Sequence, residues 1–171
     1  LTTSNYRLTE FQGALLQVQL GRLDEQTRVR EENARYLGAS LSQIEGVKLA
    51  HYEGRMTRLS WCMAHLKYDA RHFEGLPKAK FLEAAHAEGI PLSTVYHPLH
   101  KLPLFAEGRF GASFTGEKDF GGVSCPVAER AYEEVGIWLV HDYGMLGGSR
   151  SGVDDIVTAI AKVKKHAGEL L

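Results

Sequence analysis

The chain has 171 residues, 44% hydrophobic and 24% charged, which is enough for one domain with a buried core and ordinary for a soluble globular fold. Its formal net charge of −1 gives no electrostatic argument for nucleic acid or an anionic membrane, and no apolar run reaches the roughly 20 residues of a membrane span. The opening LTTSNYRLTE lacks the apolar stretch of a signal peptide, and Cys62 and Cys125 are too few for a disulfide framework or a zinc ribbon, so reduced thiols in the cytoplasm are expected.

One long helical pattern dominates the first 44 residues. Leu16, Leu20 and Leu23, then Leu37, Leu41 and Ile44, recur at helical spacing. Thr9 stands where an N-cap belongs, and Glu10 suits the positive end of the helix dipole. From Thr9 to Ile44 the rod would run roughly 54 Å, at about 1.5 Å per residue. That exceeds what a small domain needs. Gly13, Gly21 and Gly38 interrupt it, which fits close packing or a bend better than a free coiled coil.

Glu45–Gly46 ends the pattern and Val47–Tyr52 reads as a short strand. Gly54–Arg58 is a polar loop. Leu59–Tyr68 is a near-continuous apolar run, expected as a strand buried on both faces. After the Asp69–Leu76 loop, Pro77 suits the first position of a helix whose inner face is Phe81, Leu82 and Ala85, with Gly89 as its C-terminal cap. Ile90–Val95 is a second short strand, leading into Tyr96–His100. The Gly-rich stretch Ala106–Val123 is long for a loop in a compact domain. Pro126 starts a helix with Val127, Ala131 and Val135 inward. Ile137–Val140 is an apolar strand ending at His141. Ser151 and Asp154 resemble a capping box for the last helix, whose stripe is Val153, Ile156, Val157 and Ile160. The expected architecture is a small α/β layer of few strands covered mainly by helices.

No self-contained catalytic signature is present. Gly147–Gly152 has the glycine spacing of a phosphate loop, but Val153 and Asp154 stand where Lys and Ser or Thr are needed, so a turn with a cap is the plainer reading. His97 and His100, beside Tyr96 and Lys101, admit three readings. They could be donors to a hydroxylated or phosphorylated ligand, a turn shaped by Pro98 and Pro103, or two metal ligands without a third. Asn5 and Arg7 suit phosphate or carboxylate recognition, or are a local turn and a solvated charge.

Asn5-Tyr6-Arg7-Leu8-Thr9-Glu10-Phe11-Gln12-Gly13-Ala14-Leu15, followed by Gln19-Leu20-Gly21-Arg22-Leu23-Asp24, resembles the signature of the DegT/StrS aminotransferases. The resemblance continues in order through Phe81–Ala84, Glu88–Pro91, Tyr96–His100, Pro103–Phe105, Cys125–Ala131, Trp138–Leu139 and Asp154–Val157. It covers essentially the whole chain.

The resemblance implies the C-terminal part of a homodimeric pyridoxal-phosphate enzyme that aminates keto-sugars or cyclitols. The implied fold is the aspartate-aminotransferase type (fold type I). Residues 1–44 would close the large domain and form the long connecting helix. Residues 45–171 would be the small α/β domain. Asn5 is implied to reach the cofactor phosphate across the subunit boundary. Arg7, Tyr96, His97 and His100 are implied to line the substrate site, His97 at a position where the family varies. The amino donor would be glutamate or glutamine. The Schiff-base lysine lies upstream of Asn5 in that family, so this segment alone is expected to be inactive. The first residue is Leu, and the chain opens directly on the motif, so the expectation is a piece of a longer polypeptide. The rival expectation is a non-catalytic binding or dimerisation module, which would have to bury the apolar N-terminal helix in some other way.

Overall fold

A computed structural model describes residues 7–50, 54–108, 122–139 and 146–171. Helix α1 runs Glu10–Leu41, 32 residues, shorter at its end than the expected Ile44. Its start is the expected one. Thr9 is the N-cap, its hydroxyl accepts from the Gln12 N–H at 3.2 Å, and the Gln12 side chain accepts from the Thr9 N–H at 3.0 Å. The chain leaves α1 through Gly46, at φ +93°. A Cβ there would meet His72 Cβ at 2.6 Å, so only glycine fits this turn.

The other elements are β1 (Val47–Leu49), β2 (Ala64–Tyr68), α2 (Lys78–Ala87), β3 (Leu92–Thr94), α3 (Pro103–Ala106), α4 (Pro126–Arg130), β4 (Gly136–Leu139) and α5 (Arg150–Lys165). The strands form one antiparallel sheet in the order β1-β2-β4-β3. Among the described residues, α1, α2 and α5 cover one face. That face carries Val47, Ala64, Leu66, Tyr68, Leu92, Ile137 and Leu139, and it shares a core with Ala34, Leu37 and Leu41 of α1, Phe81 and Ala85 of α2, and Val153, Ile156 and Ile160 of α5. Tyr68, Phe73 and Phe81 close one end of this core with ring centroids 4.6–5.3 Å apart, and the Tyr68 hydroxyl donates to the Leu76 carbonyl at 2.7 Å.

Four expectations are corrected. The run Leu59–Tyr68 is not a strand buried on both faces. Only Ala64–Tyr68 pairs, and its burial alternates, with His65 and Lys67 on the face away from the core. The first half of the run lies along α1 instead, where Arg30 Nε donates to the Ser60 carbonyl at 2.7 Å and Arg58 meets Asp24 at 2.8 Å. Val127 does not face inward and is 84% exposed. The winding widens to a π turn at Ala131–Val135, so the 3.6-residue period that would stack Val127 with Ala131 and Val135 does not hold. The cap of α5 is Ser149, whose hydroxyl accepts from the Gly152 N–H at 3.4 Å, and Asp154 accepts from the Tyr36 hydroxyl instead of serving Ser151. Pro77 is the residue before α2 rather than its first. β1 and β3 are each three residues shorter than expected, and β4 starts one residue earlier, at Gly136, with Val140 outside the described residues. The Gly-rich residues 109–121 and His141 lie outside the described residues.

Candidate functional site

The polar residues that the sequence placed together are gathered on one short segment. It leaves β3 at the sheet edge, next to β4. Pro98 is buried and starts a single 3-10 turn, Leu99–Lys101, and Pro103 starts α3 immediately after. Two prolines within six residues give the segment a fixed path without sheet hydrogen bonds.

Each side chain on it has a definite support. Tyr96 is 72% exposed and stands edge-on to Trp138 of β4, with ring centroids 4.4 Å apart. Trp138 in turn lies opposite His65 of β2 and Ser93 of β3, on the face away from the core. His97 lies tilted on the Tyr132 ring at 4.4 Å. His100 is largely covered, 11% exposed, and its Nε2 lies 2.9 Å from Glu129 Oε1. Lys101 Nζ lies 3.0 Å from Glu129 Oε2 and 3.7 Å from Glu133.

Glu129 therefore joins this loop to α4. Its Oε1 also accepts from the Cys125 N–H at 3.0 Å. That backbone donor first, then the Lys101 ammonium and the His100 ring, hold its carboxyl down at about 2. Lys101 is pushed up by the same carboxylate. Beneath the loop, the nearly buried Lys78 donates to Thr94 Oγ1 at 2.8 Å, to the Gly136 carbonyl at 3.2 Å and to the Tyr132 carbonyl. Burial pushes its ammonium below the ordinary lysine value. Lys78 thus fastens the π turn carrying Tyr132 to the strand that feeds the loop.

Sequence reasoning gave no role to Glu129, Tyr132, Trp138 or Lys78, because each acts through partners distant in the chain. The local traces were Glu129 within Cys125–Ala131 and Trp138 within Trp138–Leu139. Of the other expected residues, Arg7 lies exposed before the α1 cap, and about 27 Å of helix separates Thr9 from Thr27, the first buried residue of α1. Asn5 lies outside the described residues. The Gly147–Gly152 turn serves structure. Asn33 of α1 donates to the carbonyls of Leu146 and Gly148 at 2.8 and 3.0 Å, and Arg150 lies over the Tyr36 ring. The described residues hold no cluster of three or more metal-ligating side chains.

They also do not fit a pyridoxal phosphate cradle. Lys80 donates to the carbonyls of Leu170 and Leu171, Lys101 is paired with two glutamates, and Lys78 is held by backbone carbonyls. Lys67 points from the exposed face of β2, directly across from Lys48. What the arrangement offers is recognition. A phenol and two imidazoles sit on one loop and can bind hydroxyl or anionic groups.

The family profile described as DegT/DnrJ/EryC1/StrS aminotransferase matches residues 1–160. An L-glutamine:2-deoxy-scyllo-inosose aminotransferase from Streptoalloteichus tenebrarius is 38% identical over 99% of this chain and 41% of its own length. A putative L-glutamine:3-amino-2,3-dideoxy-scyllo-inosose aminotransferase from Micromonospora echinospora is 32% identical over 97% and 41%. Among solved structures, 3-amino-5-hydroxybenzoic acid synthase superposes with a TM-score of 0.74 at 26% identity, covering 95% of this chain and 40% of that one. A Helicobacter pylori aminotransferase involved in pseudoaminic acid biosynthesis shows the same fold, with a TM-score of 0.73 at 20% identity. The fold is that of the C-terminal part of the fold type I aminotransferases. The chain spans about two fifths of the length of the curated relatives it matches, and it belongs to the DegT/DnrJ/EryC1/StrS aminotransferase family.

Proposed function

We propose that this chain is the C-terminal portion of a pyridoxal-phosphate-dependent aminotransferase that moves an amino group from L-glutamine to a keto-cyclitol. The observation that carries this reading is the match of 99% of this chain to part of a cyclitol aminotransferase at 38% identity. The activities of these relatives support L-glutamine as the donor and a keto-cyclitol as the acceptor, narrower than the keto-sugar or cyclitol expectation. The exposed loop of Tyr96, His97 and His100 supports it, since imidazole and phenol suit a polyhydroxylated ring. Residues 1–44 would connect the two domains and residues 45–171 would form the small one. The first half of α1 supports that division. Phe11, Leu15, Leu16, Val18 and Leu20 are all more than half exposed, as expected of a helix whose cover is the large domain.

In this reading the amine chemistry belongs to the cofactor-bearing part of the polypeptide, and this portion binds and orients. Asn5 would reach the cofactor phosphate in a homodimer, and Arg7 would meet the substrate from the other end of α1. The enzyme would work in the cytoplasm. No described helix is long and apolar enough to cross a membrane.

Borohydride reduction in the presence of pyridoxal phosphate tests this. On reduction the full-length polypeptide should gain the mass of one pyridoxyl group, and a separate unreduced sample should aminate 2-deoxy-scyllo-inosose with L-glutamine. The 171-residue chain should stay near 19.0 kDa. A full-length protein that takes up no pyridoxyl group, or aminates no keto-cyclitol, overturns the reading.

A further inference from the structure

We propose that Glu129 is the positioning residue of the candidate site, which holds His100 by Nε2 and leaves its Nδ1 to meet the substrate. This rests on the reading of the Tyr96–His100 loop as a substrate contact.

The argument starts from the carboxylate. An ionised carboxylate can only accept hydrogen bonds, so the 2.9 Å contact requires His100 to carry its proton on Nε2. That orients the ring, and Nδ1 has no partner among the described residues. With Nε2–H on the carboxylate, Nδ1 accepts from a ring hydroxyl in the neutral ring and donates to one in the protonated ring. The carboxylate is itself fixed at both oxygens. Oε1 is held by the Cys125 N–H and Oε2 by Lys101, the residue next to His100. Two adjacent loop residues are therefore tied to one side chain of α4. His100 is 11% exposed and Glu129 23%, so the contact is partly shielded from water. A loop that reads hydroxyl positions needs its imidazole held within a fraction of an ångström, and a carboxylate behind the ring supplies this.

A purely structural role for Glu129 would be capping of the α4 start. The Cys125 N–H and His100 Nε2 share Oε1, so Gln at 129 keeps an acceptor for both but removes the charge and the Lys101 tie at Oε2; Glu129→Gln therefore asks whether the ionised carboxylate, and not an acceptor atom alone, positions His100. In the full-length enzyme, with 2-deoxy-scyllo-inosose and L-glutamine as substrates, E129Q should raise KM for the ketone about tenfold and leave kcat within about twofold. H100A should raise it at least as far. The double variant should lie within about twofold of H100A, because Glu129 acts through His100. If E129Q leaves KM unchanged while H100A raises it, or if the two effects multiply, the inference fails and the substrate reading survives. If H100A itself leaves KM unchanged, the substrate reading fails and takes the inference with it. Far-UV circular dichroism confirms folding. Glu129→Asp, which keeps the charge but withdraws it by one methylene, provides the same cycle should E129Q not fold.

Discussion

The two halves of α1 are one unbroken helix with opposite fates. From Thr27 to Leu41 it contributes Thr27, Asn33, Ala34, Leu37 and Leu41 to the buried interior. From Glu10 to Gln26 it contributes nothing buried, yet it carries five large apolar residues that are more than half exposed. Helical propensity does not separate the halves. What separates them is that the sheet and α5 reach only the second half. The first half is therefore helical by local means, its capping box and its backbone ladder, and the second by packing.

The largest test of this contrast is a matched pair of truncations. Leu37→Ala removes a side chain with no solvent exposure and should cost about 2–5 kcal/mol in urea unfolding of the chain. Phe11→Ala, at a residue 79% exposed, should change the same transition by less than about 0.5 kcal/mol. Equal costs would show that the first half is covered.

The seam between the halves is next. Asn33→Ala leaves the carbonyls of Leu146 and Gly148 without their amide donor and should cost about 1–3 kcal/mol. Thr9→Ala at the other end should cost the cap about 1 kcal/mol of local helix stability. It should appear as faster amide exchange in the first turns and not as a shift of the main transition. Hydrogen exchange should also rank the unaltered halves, with the amides before Thr27 exchanging well ahead of those around Leu37.

The same contrast explains what could be read in advance. The Thr9 cap was legible because its partner is three residues away. The α5 stripe was legible because a one-sided helix keeps its 3.6-residue period, and Val153, Ile156 and Ile160 are indeed buried. Leu59–Met63 misled because an apolar run carries no mark of whether its neighbour is a strand or a helix flank. Ser149 and Ser151 are both good caps, and Asp154 was drawn away from the local motif by Tyr36, which is 118 residues distant in the chain. The loop of Tyr96, His97 and His100 was visible as a cluster. Glu129 was not visible as its anchor, since a glutamate on a helix ordinarily faces water and only the fold brings it to His100.

The smallest effect lies at residue 28, where the exposed half passes into the buried one. Arg28 meets Glu25 at 2.6 Å and Glu32 at 2.7 Å, all three well exposed. Hydrogen bonding to Arg28, then its charge, holds the Glu25 carboxyl below the usual glutamate range. A carboxyl lowered on folding stabilises the folded form above its unfolded value near 4.5, and that contribution is lost as pH falls through the lowered folded value. Because the groups face water, the effect should be slight and should vanish in molar salt. Arg28→Ala should therefore leave the main transition unmoved at neutral pH. It should flatten only a shallow acid-side loss of helicity followed at 222 nm in low salt. A large loss of stability in R28A would mean that packing extends past Thr27 toward the N-terminus, and the division of α1 would have to be redrawn.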